Sequence, residues 1–127
     1  MPVRFAFARF IMNLLPVLSV RPDYFTSKAD VLAEIARDDL WPVTVHQGGF
    51  AAAPLHCHSA PVRIYVFVGA LCVEGGPGTP PVVAAAGCRI DLPAGAVHTV
   101  SATAHVVTIT AFASSADAAG LPRLPVA

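Results

Sequence analysis

Short runs of β-branched and aromatic residues, separated by glycine and proline, make up most of the chain between residues 43 and 112. Such runs are typical of strands, because these side chains pack well on a pleated surface. The longest run, residues 63–74, is apolar on both faces after Arg63, which predicts a strand covered on each side. Gly69 within it predicts a bend or a bulge. The predicted strands comprise residues 43–47, 63–74, 82–86, 89–92, 97–101 and 106–112.

A helical pattern precedes the strands. Ser27 is the predicted N-cap, and Asp30 follows three residues later in the spacing of a capping box. The helix is expected to run to about Asp39, and its predicted apolar face is formed by Val31, Leu32 and Ile35. One helix followed by many short strands and turns predicts an all-β fold, a sandwich or a barrel, with one short N-terminal helix.

The length of 127 residues predicts one domain, at residues 27–113, between an N-terminal arm at 1–26 and a C-terminal tail at 114–127. Hydrophobic residues make up 55% of the chain and charged residues 13%, which excludes disorder. Because the formal net charge is zero, no field attracts nucleic acid or a membrane surface, and we expect neither partner. A surface so poor in charge favours burial against a second copy, so we expect a homodimer.

The N-terminal residues and the cysteines bear on where the protein resides. Two arginines precede the apolar run 10–20 in the order of a secretory signal, but an asparagine and a proline interrupt it and no small-residue cleavage site follows. Either Met1 or Met12 could be the true start. The three cysteines lack the C-x-x-C spacing of a zinc knuckle or a redox pair. We therefore expect free thiols and a cytoplasmic location.

Histidines carry most of the information about chemistry. His56 and His58 alternate around Cys57, so on a strand both imidazoles face one side and can chelate one ion. The same spacing also occurs by chance in many strands, so a purely structural role remains an alternative. His98 follows about forty residues later.

The segment that ends at His98 resembles the second signature motif of the cupin superfamily. The motif, glycine, five residues, proline, one residue, glycine, two residues, histidine, occurs at Gly87, Pro93, Gly95 and His98. His56 and His58, followed by Gly69, are similar in outline to the first motif. The resemblance spans residues 43–112 and implies a cupin-type jelly-roll β-barrel of two packed sheets, with a metal site in its mouth.

The resemblance implies that His56, His58 and His98 bind a divalent ion, which could be iron, zinc, manganese or nickel. The family's first motif adds a glutamate four or five residues after the second histidine, where this chain has Val62 and Arg63. The ligand set is therefore reduced to three histidines.

A ligand pocket is expected beside the histidines, lined by Val62, Ile64 and Tyr65. Strict alternation from position 62 would instead turn Tyr65 away from the pocket, unless a bulge reverses it. His46 and His105 are candidates for a fourth ligand or for a partner that orients a ligating imidazole, with a structural role as the alternative.

Two functions fit these residues. Three neutral imidazoles leave the charge of the ion uncompensated and coordination positions open, as in cupin dioxygenases that use three histidines. The first hypothesis is therefore a metal-dependent oxygenase or related small-molecule enzyme. The second is a non-catalytic sensor or carrier that holds a small-molecule ligand, with a degenerate or absent metal site. Val62 favours the second, because an aliphatic side chain lines a pocket and ligates nothing.

Overall fold

The computed structural model describes residues 16–126, and within them it has ten strands and two helices. The strands are β1 (Ser19–Arg21), β2 (Trp41–Gln47), β3 (His56–Cys57), β4 (Val62–Val68), β5 (Ala70–Gly75), β6 (Val82–Ala85), β7 (Arg89–Leu92), β8 (His98–Ser101), β9 (Val106–Phe112) and β10 (Leu124–Pro125). The helices are α1 (Lys28–Arg37) and α2 (Ser115–Gly120).

The strands form two antiparallel sheets of five strands each. The first sheet has the order β1-β7-β4-β9-β2, and the second has the order β10-β3-β8-β5-β6. Apolar side chains from both sheets meet in one core between the layers, among them Val62, Ile64, Val66, Leu71, Val73, Ile90 and Val106. Within residues 16–126 the two sheets share no strand, so the mostly-β prediction is confirmed as a two-layer arrangement that is not closed into one sheet.

The predicted strands agree with β2 and β4–β9 to within two residues. Gly69 has a φ of +77° and separates β4 from β5, so the predicted bend is confirmed and divides the run 63–74 in two. On β4, Val62, Ile64 and Val66 face the core between the sheets, while Tyr65 faces α1. The register of β4 against β9 shifts only after Val66, so the alternation is intact at Tyr65.

Helix α1 begins as the sequence predicts. The Ser27 side chain accepts a hydrogen bond of 3.1 Å from the Asp30 backbone N–H. Val31 and Ile35, four residues apart, are buried against the outer face of the first sheet. Leu32 was predicted to share that face, but it is 41% exposed. One residue of helix turns a side chain by about 100°, which carries Leu32 off the buried stripe.

Three elements, β1, α2 and β10, lie outside the predicted domain limits of 27–113. Strand β1, in the predicted arm 1–26, pairs with β7 of the same sheet. Helix α2 lies in the predicted tail, so the described residues contain two helices where one was predicted. Ser114 caps this second helix, because its side chain accepts a hydrogen bond from the Asp117 N–H. Residues 1–15, including both potential start methionines, lie outside the described residues. Neither helix in the described part of the chain is long and apolar enough to cross a lipid bilayer.

Candidate metal centre

Strand pairing brings the three predicted histidine ligands together. His56 on β3 stands directly opposite His98 on β8, and His58 follows β3. Directly opposed residues point to the same face of a sheet. The ring centroids of His56 and His98 are 4.6 Å apart, and each is 5.1 Å from that of His58. One ring nitrogen from each histidine lies within 4.8 Å of the other two, a spacing that small side-chain rotations can bring onto one ion.

A tight turn before β8 fixes the position of His98 relative to His58. The turn closes through a 3.0 Å hydrogen bond from the Ala96 N–H to the Pro93 carbonyl. Gly95 has a φ of +80°, a conformation in which glycine pays no steric penalty. Its N–H donates to the His58 carbonyl at 2.8 Å, so the turn is tied to the backbone of another predicted ligand.

Backbone carbonyls set the tautomer of all three rings. Each Nδ1 lies within hydrogen-bond distance of a carbonyl oxygen, the pairs being His56 with Pro54 at 2.8 Å, His98 with Ala96 at 2.8 Å, and His58 with Pro122 at 2.7 Å. Because a carbonyl oxygen only accepts, each Nδ1 must carry the proton and donate it. The neutral ring then leaves Nε2 with a free lone pair. This is the arrangement in which metal-ligating histidines are usually held.

Burial favours the neutral form of His98, which is 4% exposed. It lowers the pKa of the His98 imidazole, because the charged ring loses solvation; the hydrogen bond to Ala96 acts in the opposite direction. The neighbouring His56 and His58 and the charge of Arg123 lower the pKa further. A neutral imidazole is the form that binds a metal.

The three histidines line a cavity of about 540 Å³ between the two sheets. Two of the predicted pocket residues, Val62 and Ile64, lie in its wall, which also has the apolar side chains of Leu92 and Phe112. Val62 is 7% exposed; the resemblance to the first cupin motif led us to expect a glutamate at or next to this position. The charged side chains among the lining residues of this cavity are Asp117 and Arg123.

One side of the cavity is built by the C-terminal segment, residues 114–126. Strand β10 pairs with β3, so that Pro125 stands opposite His56. Pro122 supplies the carbonyl that orients His58, and Leu121 and Arg123 line the cavity. The sequence predicts a tail for this segment. Its one local signal was serine followed three residues later by aspartate at 114 and 117, the same spacing that identified the first helix.

Comparison with known proteins supports the fold. No family model matches the sequence, and no curated protein matches it significantly. Among solved structures, an RmlC-like cupin from Shewanella frigidimarina superposes with a TM-score of 0.50 at 22% identity, over 57% of this chain and 64% of that one. A cupin superfamily protein from Desulfitobacterium hafniense superposes with a TM-score of 0.50 at 5% identity, over 75% of each chain. The chain has the cupin fold.

A third solved structure belongs to a protein of unknown function of the DUF861 family from Pseudomonas syringae pv. tomato. It superposes with a TM-score of 0.52 at 14% identity, over 57% of this chain and 30% of that one. This chain therefore spans less than two thirds of the length of two of these three neighbours. At these sequence identities the likeness shows a shared fold alone.

Three predicted site residues lie away from the histidine cavity. Tyr65 was expected to line it, but its side chain lies on the other face of the first sheet, because the bulge that could have reversed it comes after Val66. His46 and His105 are exposed and lie near one another, with ring centroids 6.2 Å apart. Neither is among the residues that line the cavity.

A second polar cluster lies on the outer face of the first sheet. The Glu34 carboxylate of α1 accepts hydrogen bonds from the hydroxyls of Tyr24 and Tyr65 and from Arg89, the last at 3.2 Å. Burial opposes its ionisation, but the tyrosine hydrogen bonds and the charges of Arg89 and Arg63 outweigh this and lower the pKa of Glu34. Burial and the Glu34 carboxylate raise the pKa of Tyr65 to about 12. The cluster joins α1 to the sheet.

Proposed function

We propose that this cupin binds one divalent metal ion through the Nε2 atoms of His56, His58 and His98. The observation that carries the proposal is the set of three Nδ1-to-carbonyl hydrogen bonds, which present three unprotonated nitrogens at one place. A purely structural role for the histidines would not require the same tautomer in all three rings. Hydrogen bonds of this kind fix ring orientation and raise the basicity of the ligating nitrogen.

We propose further that the centre is that of a metal-dependent enzyme acting on a small molecule, with an oxygenase as the leading class. A divalent ion held by three neutral imidazoles keeps its charge and its open positions, so it can polarise a bound substrate or support dioxygen chemistry. The chain's own residues orient the three rings through backbone carbonyls and surround the centre with apolar walls. These walls exclude water from one side of the cavity, where Val62, Leu92 and Phe112 lie.

Metal analysis of the purified protein, prepared without a histidine tag, tests the metal centre. The wild type is expected to carry close to one equivalent of iron, zinc, manganese or nickel per chain, measured by elemental mass spectrometry. His98→Ala is expected to lose it, and His46→Ala, which removes an exposed histidine outside the cavity, is expected to keep it. A wild type that carries no metal and takes up none from any of these four ions would overturn the proposal.

The second candidate function is a non-catalytic module that binds a small molecule. It is favoured by Val62, which places an aliphatic group where a fourth ligand would be, and by the scarcity of titratable groups in the cavity. Oxygen consumption by the iron-loaded protein with a panel of thiols and diketones distinguishes the two. Turnover that His98→Ala abolishes supports the enzyme, and a flat response across the panel supports the binding module.

A further inference from the structure

The residues that line the cavity include one cationic side chain, that of Arg123. Arg123 lines the cavity from the C-terminal segment, next to the carbonyl that orients His58. Within residues 16–126, Arg123 makes no ion pair and no side-chain hydrogen bond, whereas Arg21, Arg37, Arg63 and Arg89 each pair with a carboxylate.

The charge balance of the cavity favours an anionic occupant. Asp117 is the carboxylate among the lining residues, and it lies in the first turn of α2, where the helix N–H groups stabilise its charge. It forms no ion pair with Arg123. This inference rests on the proposed function, in which a divalent ion is held by three neutral imidazoles. Because these ligands do not offset the charge of the ion, its full positive charge adds to that of Arg123.

The remaining walls indicate the rest of the ligand. Val62, Ile64, Leu92 and Phe112 supply aliphatic and aromatic surface on the side of the sheets. A cavity of about 540 Å³ is in the range that holds a small organic molecule. A ligand with an apolar body and one anionic end would bury the body against the sheets and leave the anion beside the C-terminal segment.

We propose that the cavity binds a small carboxylate with an apolar body, and that Arg123 pairs with the carboxylate and sets the preference for an acid over its neutral analogue. Guanidinium and carboxylate groups form paired, charge-assisted hydrogen bonds, which give orientation as well as affinity. Arg123 is exposed to solvent, so we expect about a tenfold effect on affinity, at the low end for a hydrogen bond to a charged group, and not the larger effect of a buried pair.

The test compares two probes of nearly the same shape, 3-methylbutanoate and 3-methylbutanamide. Their dissociation constants are measured by chemical-shift titration of the zinc-loaded wild type, Arg123→Gln and Lys28→Gln. Lys28 is exposed on α1 outside the cavity, so its variant makes the same change in net charge as a matched control. We expect the wild type and Lys28→Gln to bind the acid about tenfold more tightly than the amide, and Arg123→Gln to lose most of that preference.

Two further variants sharpen the outcome. Arg123→Lys is expected to keep part of the preference, and Asp117→Asn is expected to increase it, because it removes the negative charge from the same wall. Equal binding of acid and amide by the wild type, an undiminished acid preference in Arg123→Gln, or no binding of either probe would overturn the proposal.

The metal-free His98→Ala variant separates this inference from the proposed function. An acid preference that depends on Arg123 and persists in His98→Ala supports the role of Arg123 even if no metal binds. A wild type that holds metal but shows no Arg123-dependent preference supports the metal centre and overturns the role of Arg123.

Discussion

Gly69 illustrates how much one residue decides in this fold. Its φ of +77° lies in the left-handed region, and a Cβ at this position would clash with the backbone carbonyl oxygen of His105. The backbone of the loop before β9 therefore packs directly against the turn between β4 and β5. Only glycine permits both the backbone conformation and this approach.

Substitution of Gly69 by alanine is expected to lower the free energy of unfolding by about 3 kcal/mol, from backbone strain and the clash together. Gly78 is the matched control: its φ is +83°, and a Cβ there meets no atom within 4 Å. Gly78→Ala should lose only about 1 kcal/mol, from the conformation alone. Urea denaturation followed by circular dichroism measures both. Equal losses would show that the contact with His105 relaxes without penalty.

At the scale of elements, α1 is attached to the first sheet by both packing and charge. Val31 and Ile35 are almost fully buried, and Glu34 between them accepts hydrogen bonds from Tyr24, Tyr65 and Arg89. The sequence indicated the apolar contact through its helical spacing. It did not indicate the polar cluster, whose members come from three distant parts of the chain.

Glu34 should make the attachment of α1 dependent on pH. Because its folded-state pKa lies below the ordinary value of 4.5, the stabilisation is complete above that value and is lost as the pH falls through the lowered pKa. Glu34→Gln is expected to destabilise the protein by about 2 kcal/mol at pH 7 and to flatten the stability profile between neutral and acidic pH. Denaturation midpoints of both proteins over this range test it. Parallel profiles would contradict it.

The C-terminal segment is a second element whose role is set by its contacts. A chain that ends after Leu121 loses the Pro122 carbonyl that orients His58, together with β10. We expect its metal affinity to fall roughly 10- to 100-fold, the effect usual for removal of such an orienting partner. Its fold should persist, because the two core clusters have their buried residues between positions 31 and 111.

Competition against a chromophoric zinc chelator measures this change in affinity. A chain that ends after Pro125 keeps every one of these contacts and serves as the control, with unchanged affinity expected. Loss of affinity in both truncations would indicate a general effect of shortening, and no loss in either would show that His58 is oriented without Pro122.

At the scale of the whole molecule, the low charge remains an argument for self-association. Val83 on β6 is 70% exposed and Trp41 on β2 is 52% exposed, and within residues 16–126 both strands are edges of their sheets. Open, apolar edges are surfaces on which a second copy can pair. The homodimer and the cytoplasmic location stay predictions.

Sedimentation equilibrium tests the homodimer. We expect a dimer at micromolar concentrations, and Val83→Lys is expected to shift the equilibrium toward the monomer, because a lysine on an edge strand opposes pairing. A wild type that is monomeric at all micromolar concentrations would contradict the prediction. Lys28→Gln, which alters an exposed charge on α1, is the control and should leave the equilibrium unchanged.

Local sequence patterns were sufficient for much of the fold and for the three histidines. Strand alternation, the Ser27 cap, and the turn of Pro93 and Gly95 each depend on residues within a few positions of one another. His98 was expected beside His56 because the segment that ends at His98 resembles the second cupin motif, whose spacing is also local. For the same reason the absence of a carboxylate at Val62 was evident from the sequence.

Only the tertiary structure decided the orientation of Tyr65 and the contribution of the C-terminal segment to the site. The orientation of Tyr65 depended on whether a bulge came before or after it, and the bulge comes after Val66 because β4 must pair in register with β9. The acceptor for His58 is a backbone carbonyl 64 residues away. Carbonyls are the same in every residue, so the sequence cannot mark one as a partner. Pro122 and Arg123 belong to the site only because β10 pairs with β3.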